Sequence, residues 1–211
     1  MESTLRRGAC DEGLTLIETL GWDGLRFARA DLHLARLAGS AAQLGWDCDI
    51  DSTRQALRDA VSRTPARVRL TLDARGRIEI SIAAMPDPAT LWRVGMANAQ
   101  LSSSDPWLGI KSSNRAAYDT ARAELPAGLD EMIFQNERGE VCDGTITSVF
   151  FDAGDGLCTP PLSSGLLPGV LRAEMLAKAA VREVVLRASD LGKVRLWVGN
   201  SLRGLIPAQF S

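Results

Sequence analysis

Histidine, tyrosine and lysine are scarce in this sequence of 211 residues, which has one histidine, one tyrosine and three lysines against 21 arginines. A single histidine, His33, excludes a hydrolase that is built on several histidines. Because lysine is so rare, each of the three lysines is a candidate for a residue whose amine has a chemical role; they are Lys111, Lys178 and Lys193.

Other absences narrow the class of protein. The formal net charge is −2 and no stretch of the sequence concentrates basic residues, so we expect no nucleic-acid partner. The cysteines form no C-x-x-C pair, which argues against a metal site or a redox dithiol and favours reduced thiols; they are Cys10, Cys48, Cys142 and Cys158. The first 13 residues have no apolar segment, and no apolar run is long enough for a membrane span. We therefore expect a cytoplasmic protein.

The apolar pattern predicts an α/β (α+β) protein with two lobes. Two prolines in Met85–Pro88 stop either type of element, so this segment is the expected link between a smaller N-terminal lobe, 1–85, and a larger C-terminal lobe, 86–211. Strands are expected over Leu14–Leu20, Leu25–Phe27, Glu140–Phe151 and Val184–Leu186, among others. The predicted helices run from Asp31 to about Gly45, after Asp51–Ser52, from Ser112 or Ser113 to Leu125, and after Pro168–Gly169.

Lys111 is the most unusual charged residue. A cation directly before a helix N-terminus opposes the helix dipole, at a cost of up to about 1 kcal/mol, so its position suggests a chemical role. An amine in an apolar, positive setting has a lowered pKa, which suits Schiff-base formation. From local context alone, however, a surface lysine in a loop is the simpler interpretation.

Four other features are weak when each is taken singly. Pro168–Leu171 could present the free N–H groups of a helix N-terminus to a phosphate. A helical wheel places Arg36 away from the apolar stripe, which predicts a solvated side chain, and His33 is more simply a structural residue near a helix start. Asp143, between Cys142 and Gly144, is by default a turn aspartate.

The order and spacing of these features resemble the class IV aminotransferases, enzymes that use pyridoxal 5′-phosphate (PLP). The matching segments extend from about Leu14 to Pro207. They are Glu18–Leu20, His33–Leu37 with Ser40–Ala41, Lys111–Arg115 with Tyr118, Asp130–Glu131, Gly139–Val141, Asp143–Thr145 with Phe150, Leu167–Arg172 and Asn200–Gly204.

This resemblance implies PLP fold type IV, similar to D-amino-acid aminotransferase, with two lobes and the cofactor at the lobe interface. Lys111, in the C-terminal lobe, matches the lysine that binds PLP as a Schiff base and shuttles the proton. Arg36 matches the arginine that binds the phosphate, an assignment that replaces the solvated side chain of the helical wheel. The amides of Val170 and Leu171 match the second phosphate contact. Asp143 matches the residue that pairs with the pyridine nitrogen.

Two residues depart from the family pattern. Asp143 stands where the family has glutamate, and Ser148 stands where it has asparagine. Both remain polar and of the right kind, so we expect activity, although a PLP-binding relative without turnover stays an alternative.

The last segment favours one activity within the family. Asn200–Gly204, followed by Ile206–Pro207, is most similar to the aminodeoxychorismate lyases, which convert 4-amino-4-deoxychorismate to 4-aminobenzoate and pyruvate for folate biosynthesis. By resemblance, Ser201 and Leu202 lie near the carboxylate of a small amino substrate. The alternative is an aminotransferase of D- or branched-chain amino acids, and in either case the resemblance implies a homodimer.

Overall fold

The computed structural model describes Leu5 and residues 13–211. The chain forms two compact units, the first of residues up to Asp87 with Ile110–Asn114, and the second of Pro88–Gly109 with Arg115–Ser211. The boundary at Asp87 and Pro88 lies in the segment that the sequence analysis takes as the link. Cys10 lies outside the described residues, as do the other residues of 1–4 and 6–12.

The first unit is a three-stranded antiparallel sheet with two helices, and the strands lie in the order β1–β2–β3. In β2, Val68, Leu70 and Leu72 are buried while the residues between them are not, which is the period of two expected of a strand with one covered face. The elements are β1 (Thr15–Trp22), α1 (Ala30–Leu44), α2 (Ile50–Ala60), β2 (Ala66–Asp73) and β3 (Ile78–Ala83).

The starts of both helices differ from the prediction. Residue Asp31 does not cap α1, because the preceding Arg29 occupies the cap position with a left-handed backbone, and the Asp31 carboxylate instead pairs with Arg54 at 2.8 Å. Asp49 caps α2 by accepting the N–H groups of residues 51 and 52. The predicted strand at 25–27 is reduced to a single bridge, because the Asp23 carboxylate binds the amides of residues 25 and 26 and turns the chain.

The second unit is built on one eight-stranded sheet, in the order β10–β11–β4–β5–β6–β7–β8–β9. Its elements are β4 (Trp92–Leu101), α3 (Ala116–Ala123), β5 (Glu131–Asn136), β6 (Val141–Gly144), β7 (Ser148–Asp152), β8 (Cys158–Thr159), α4 (Val170–Ala177), β9 (Arg182–Glu183), β10 (Arg195–Asn200) and β11 (Gly204–Phe210). The strand predicted at 184–186 is wrong, since the chain pairs two residues earlier, in β9.

A second pairing, between β10 and β7, closes β4, β5, β6, β7, β10 and β11 into a barrel. Closure removes the exposed sheet edges of those strands. Side chains in the core of this unit are fully buried, among them Val94, Ile133, Val141, Val149 and Val198. The barrel is therefore a packed core that holds the ends of its strands, and the loops after them, in fixed positions.

The long strand predicted over 140–151 is interrupted at residues 145–147, between β6 and β7. The interruption has a cause outside the segment: the carboxylate of Glu131, on β5, binds the turn. Gly144 is required beside it, because a Cβ at that position would lie 2.5 Å from Thr147 Oγ1 and 2.9 Å from Glu131 Oε2.

Candidate active site

Lys111 lies in the first unit, on an extended segment that runs beside β1. The Lys111 carbonyl accepts the Ile17 N–H at 2.8 Å, Ser113 N–H binds the Thr15 carbonyl at 2.8 Å, and Ser112 lies opposite Leu16. This pairing explains why the segment belongs with the first unit, although Lys111 is predicted to lie in the C-terminal lobe.

The predicted helix start at Ser112 or Ser113 is wrong, since α3 begins at Ala116. The Ser113 hydroxyl accepts the Thr15 N–H at 3.0 Å, so the groups expected to cap a helix bind β1 instead. Lys111 is thus five residues before the helix, and the helix-dipole argument for its role does not hold.

A buried carboxylate, Glu18, holds both Arg36 and His33 in the first unit. Arg36 donates from Nε at 2.8 Å and from a terminal nitrogen at 2.6 Å to the two oxygens of Glu18, and His33 Nδ1 lies 2.6 Å from Glu18 Oε2. The Arg36 side chain is only 11% exposed, so the helical-wheel expectation of a solvated arginine is wrong. The expectation that His33 is structural is confirmed, since it is buried and bonded to Glu18.

The charges of this cluster follow from its burial and its partners. Burial would raise the pKa of Glu18, but the charge and hydrogen bonds of Arg36, together with the hydrogen bond of His33, hold that pKa below its ordinary value. Burial lowers the pKa of His33 and outweighs the attraction of Glu18, and the charge of Lys111 acts in the same direction. His33 is therefore a neutral imidazole that donates to Glu18, and Arg36 keeps a fixed orientation.

Asp143 lies on β6 in the second unit and is 5% exposed, so it is a strand residue and no turn aspartate. Its Oδ1 accepts the Tyr118 hydroxyl at 3.1 Å, and its Oδ2 accepts the Leu167 N–H at 3.1 Å. Directly across from it on β7 is Ser148, so the two departures from the family pattern form one cross-strand pair.

The N-terminus of α4 lies against this pair. The helix begins at Val170 after Gly169, as predicted; it has no side-chain cap, and Val170 and Leu171 are buried. The first N–H groups of a helix have no acceptor within the helix, so this end offers donors to an anion. A Cβ on Gly169 would lie 2.4 Å from the Ser148 hydroxyl oxygen, so glycine is needed for the approach.

The segment that contains Ser201 and Leu202 is a turn between β10 and β11. The Asn200 side-chain oxygen accepts the N–H groups of Leu202 at 3.1 Å and Arg203 at 3.0 Å, and its Nδ2 donates to the Ile146 carbonyl at 3.1 Å. Asn200 thus joins this turn to the turn at 145–147.

Ser148 is the residue around which these parts of the second unit meet. It is paired with Asp143 on β6 and with Gly199 on β10, and Gly169 packs on its hydroxyl. A Cβ on Gly199 would lie 3.0 Å from Leu171 Cδ2, so α4 also packs on β10. The Asp143 carboxylate, the N-terminus of α4 and the end of β10 are therefore neighbours in the second unit.

Glu131 has no predicted role, yet its carboxylate holds the turn at residues 145–147 between β6 and β7. Its carboxylate is 0% exposed and accepts from the N–H groups of Thr145 at 3.0 Å and Ile146 at 3.1 Å, from the Thr147 hydroxyl at 2.9 Å and from the Thr145 hydroxyl. An acidic residue directly before three apolar residues of a strand, with a Thr-Ile-Thr turn 14 residues later, is the signal that could have found it.

Within Leu5 and residues 13–211, no cluster of three or more His, Cys, Asp or Glu residues could hold a metal ion. Over the same residues, none of the helices is both long enough and apolar enough to cross a membrane.

Comparison with known proteins identifies the family. The family model for class IV amino-transferases matches residues 15–209. The chain therefore belongs to the class IV aminotransferases and is an enzyme of this PLP-dependent family, and the predicted type IV fold is confirmed.

The individual relatives are named either as aminodeoxychorismate lyases or as aminotransferases. A protein of Schizosaccharomyces pombe named "Putative aminodeoxychorismate lyase" is 32% identical over 184 residues, which cover 82% of this chain and 77% of that protein. The structure of a "Putative amino-acid aminotransferase" from Mesorhizobium loti is 46% identical, with a TM-score of 0.89 over 94% of this chain and 100% of that chain. The 4-amino-4-deoxychorismate lyase of Pseudomonas aeruginosa, 23% identical, shares the fold with a TM-score of 0.77 over 93% of this chain and 82% of its own.

Proposed function

We propose that this enzyme is a PLP-dependent lyase that converts 4-amino-4-deoxychorismate to 4-aminobenzoate and pyruvate, a step of folate biosynthesis. The observation that carries the proposal is the turn at Asn200–Gly204, whose sequence is most similar to the lyases and whose shape Asn200 fixes through three hydrogen bonds. The relative that is named an aminodeoxychorismate lyase supports the same choice.

The donor sets of the two units fit PLP in their chemistry. We propose that Lys111 binds the cofactor covalently through its amine, and that Arg36, held by Glu18, and the amides of Val170 and Leu171 bind its phosphate. Asp143 would pair with the pyridine nitrogen, because a carboxylate accepts a hydrogen bond from a ring N–H most strongly when it is charged. The close approach of Gly169 to Ser148 supports the phosphate assignment, since it brings the N-terminus of α4 beside the strand pair of Asp143 and Ser148.

PLP supplies an electron sink for the electrons that remain when a proton leaves the substrate. The protein's own part is proton transfer and orientation. The amine of Lys111, free once the substrate amine has taken its place, would take the substrate proton and return it, and the Asp143 carboxylate would hold a proton on the ring nitrogen. Residues Ser201 and Leu202, in the turn held by Asn200, orient the carboxylate of the substrate.

The second candidate is an aminotransferase that acts on D- or branched-chain amino acids. The Mesorhizobium loti protein favours it, because that protein is 46% identical and is described as an amino-acid aminotransferase. The two reactions differ in one requirement, since a transaminase needs a 2-oxo acid to accept the amino group and the lyase needs none.

The test is an assay of the purified protein, supplied with PLP. With 4-amino-4-deoxychorismate and no 2-oxo acid, we expect 4-aminobenzoate and pyruvate in equal amounts, and neither product from the Lys111→Ala variant. Turnover of D-alanine or leucine with 2-oxoglutarate, without any lyase product, would replace the lyase by the aminotransferase. Bound PLP without either turnover would identify a non-catalytic relative, in which the Asp143 and Ser148 departures abolish the chemistry.

We also propose that the enzyme is a homodimer in the cytoplasm. The family resemblance supports the dimer. The thiols of Cys48, Cys142 and Cys158 are free, as is usual in a reducing compartment. Light scattering on the purified protein should give a mass of twice the 22.7 kDa chain.

A further inference from the structure

The carboxylate of Asp143 is held at both of its oxygens by groups of the protein. Tyr118, the single tyrosine of the sequence, donates its hydroxyl to Oδ1 at 3.1 Å. Leu167 donates its backbone N–H to Oδ2 at 3.1 Å. Of these two groups only the tyrosine is a side chain, so only Tyr118 can be removed by substitution without changing the backbone.

Bonds at both oxygens matter because the last torsion of an aspartate is soft. The χ2 angle of Asp joins an sp³ carbon to an sp² carbon, and its energy profile is broad. The plane of the carboxylate is therefore set by what its oxygens bind. A carboxylate that must accept one particular N–H needs this plane fixed, and an aspartate has one torsion fewer than a glutamate with which to adjust.

Tyr118 is itself rigidly placed. Its ring packs edge-on against Phe134, with centroids 4.9 Å apart and planes at 62°. The Arg115 guanidinium lies 5.5 Å from the centre of the same ring, and it is tied to Asp119 at 2.8 Å and to the Thr145 carbonyl at 2.6 Å.

The protonation of Tyr118 suits a donor. Burial raises the pKa of its hydroxyl, and the charge of Asp143 raises it further, while the nearby charge of Arg115 opposes them weakly. The hydroxyl therefore stays protonated and can donate to the Asp143 carboxylate.

We propose that Tyr118 is a positioning residue: its hydroxyl fixes the plane of the Asp143 carboxylate so that this group can face the pyridine nitrogen. The proposal rests on the proposed role of Asp143, but the Tyr118–Asp143 bond itself can be tested without cofactor or substrate. Removal of the hydroxyl should leave cofactor binding largely intact and slow the proton-transfer step.

The first experiment uses the single tyrosine as a reporter. In cofactor-free protein labelled with ¹³C at tyrosine Cζ, one resonance is expected, and Asp143→Asn should shift it because the charged acceptor of the hydroxyl is lost. Asp190→Asn is the matched control, since that carboxylate is on the surface and pairs with Lys193 at 2.7 Å. An unchanged Tyr118 resonance in Asp143→Asn overturns the proposal.

The second experiment measures turnover of the PLP-loaded enzyme. Tyr118→Phe keeps the ring and its packing, and it should lower kcat about tenfold with less than about a twofold change in KM, in line with the loss of one hydrogen bond to a charged group. Thr159→Val is the control for a lost buried hydroxyl, because the Thr159 hydroxyl donates to the Val149 carbonyl at 2.8 Å. Its kcat should match that of the parent.

A double variant separates positioning from mere stability. If Tyr118 acts through Asp143, then Tyr118→Phe should cause no further loss in an Asp143→Asn background. Independent, multiplying losses overturn the proposal. Turnover of Asp143→Asn at the parent rate overturns the role of Asp143 itself, whereas lost turnover with an unshifted tyrosine resonance overturns only the role of Tyr118.

Discussion

Replacement of Glu131 by glutamine tests whether one buried carboxylate holds the turn between β6 and β7. Oε1 of Glu131 accepts the N–H groups of Met132 and Thr145, each at 3.0 Å, and Oε2 accepts the Ile146 N–H at 3.1 Å. Glutamine keeps the size of the side chain but has only one acceptor oxygen. With that oxygen at the Oε1 position, the new NH₂ group faces the Ile146 N–H, donor against donor.

The magnitude follows from the bonds that are lost. A hydrogen bond to a charged group is worth about 1.5–3 kcal/mol, and a buried N–H left without an acceptor costs about 1–3 kcal/mol. These two figures describe the same contact from both sides and are not added, so we expect the free energy of unfolding to fall by about 1.5–3 kcal/mol. For a chain of this size, about 2–4 °C of Tm is lost per kcal/mol, so Tm should fall by roughly 3–12 °C.

The assay is thermal unfolding followed by circular dichroism, with Glu124→Gln as the matched control. Glu124 undergoes the same chemical change on an exposed site at the end of α3, so its Tm should stay within about 2 °C of the parent. Equal Tm values for the two variants would refute the reasoning, because the buried bonds of Glu131 would then contribute nothing net.

Two further predictions concern the groups that hold the proposed cofactor contacts. Glu18→Gln should lower the free energy of unfolding by about 3–5 kcal/mol at pH 7, because it removes the buried carboxylate that pairs with Arg36. Since the pKa of Glu18 in the folded protein lies below its ordinary value of 4.5, urea unfolding should show this gap above pH 4.5 and its loss as the pH falls further. A gap that persists unchanged at low pH would contradict this assignment of charge. Gly169→Ala should lower the free energy of unfolding by about 1–3 kcal/mol, because the new Cβ would press on the Ser148 hydroxyl. A second substitution in the same chain, Ser148→Ala, should recover most of that loss. The control is Gly192→Ala, which should be neutral because there is open space around Gly192.

The parts of the fold that depend on local pattern could be predicted from the sequence. The predictions of a strand over Leu14–Leu20 and of a helix start after Pro168–Gly169 are confirmed, because apolar pattern and turn chemistry act over a few residues. The predicted start of α3 is wrong because it depends on a contact between residues that are distant in the sequence. Its serines look like helix caps, but Ser113 bonds Thr15, a residue 98 positions away, and no local rule contains that partner.

In the candidate site, too, the residues could be predicted from the sequence, whereas their hydrogen-bond partners could not. The resemblance supplied the residues, including Lys111 and Asp143, because their order along the chain is a property of the sequence. Their partners could not be derived from that order. Arg36 became buried because Glu18, 18 residues earlier on β1, faces it, and Asp143 owes its setting to Tyr118, 25 residues before it.

The central claim is that Lys111 carries PLP, and borohydride reduction tests it most directly. Protein loaded with PLP, reduced and digested, should carry the pyridoxyl group on the peptide that contains Lys111. The other two lysines are held in surface ion pairs, Lys178 with Glu174 at 2.9 Å and Lys193 with Asp190 at 2.7 Å, and should stay unlabelled. A pyridoxyl group on Lys178 or Lys193, or on no lysine after reconstitution with PLP, would contradict the account.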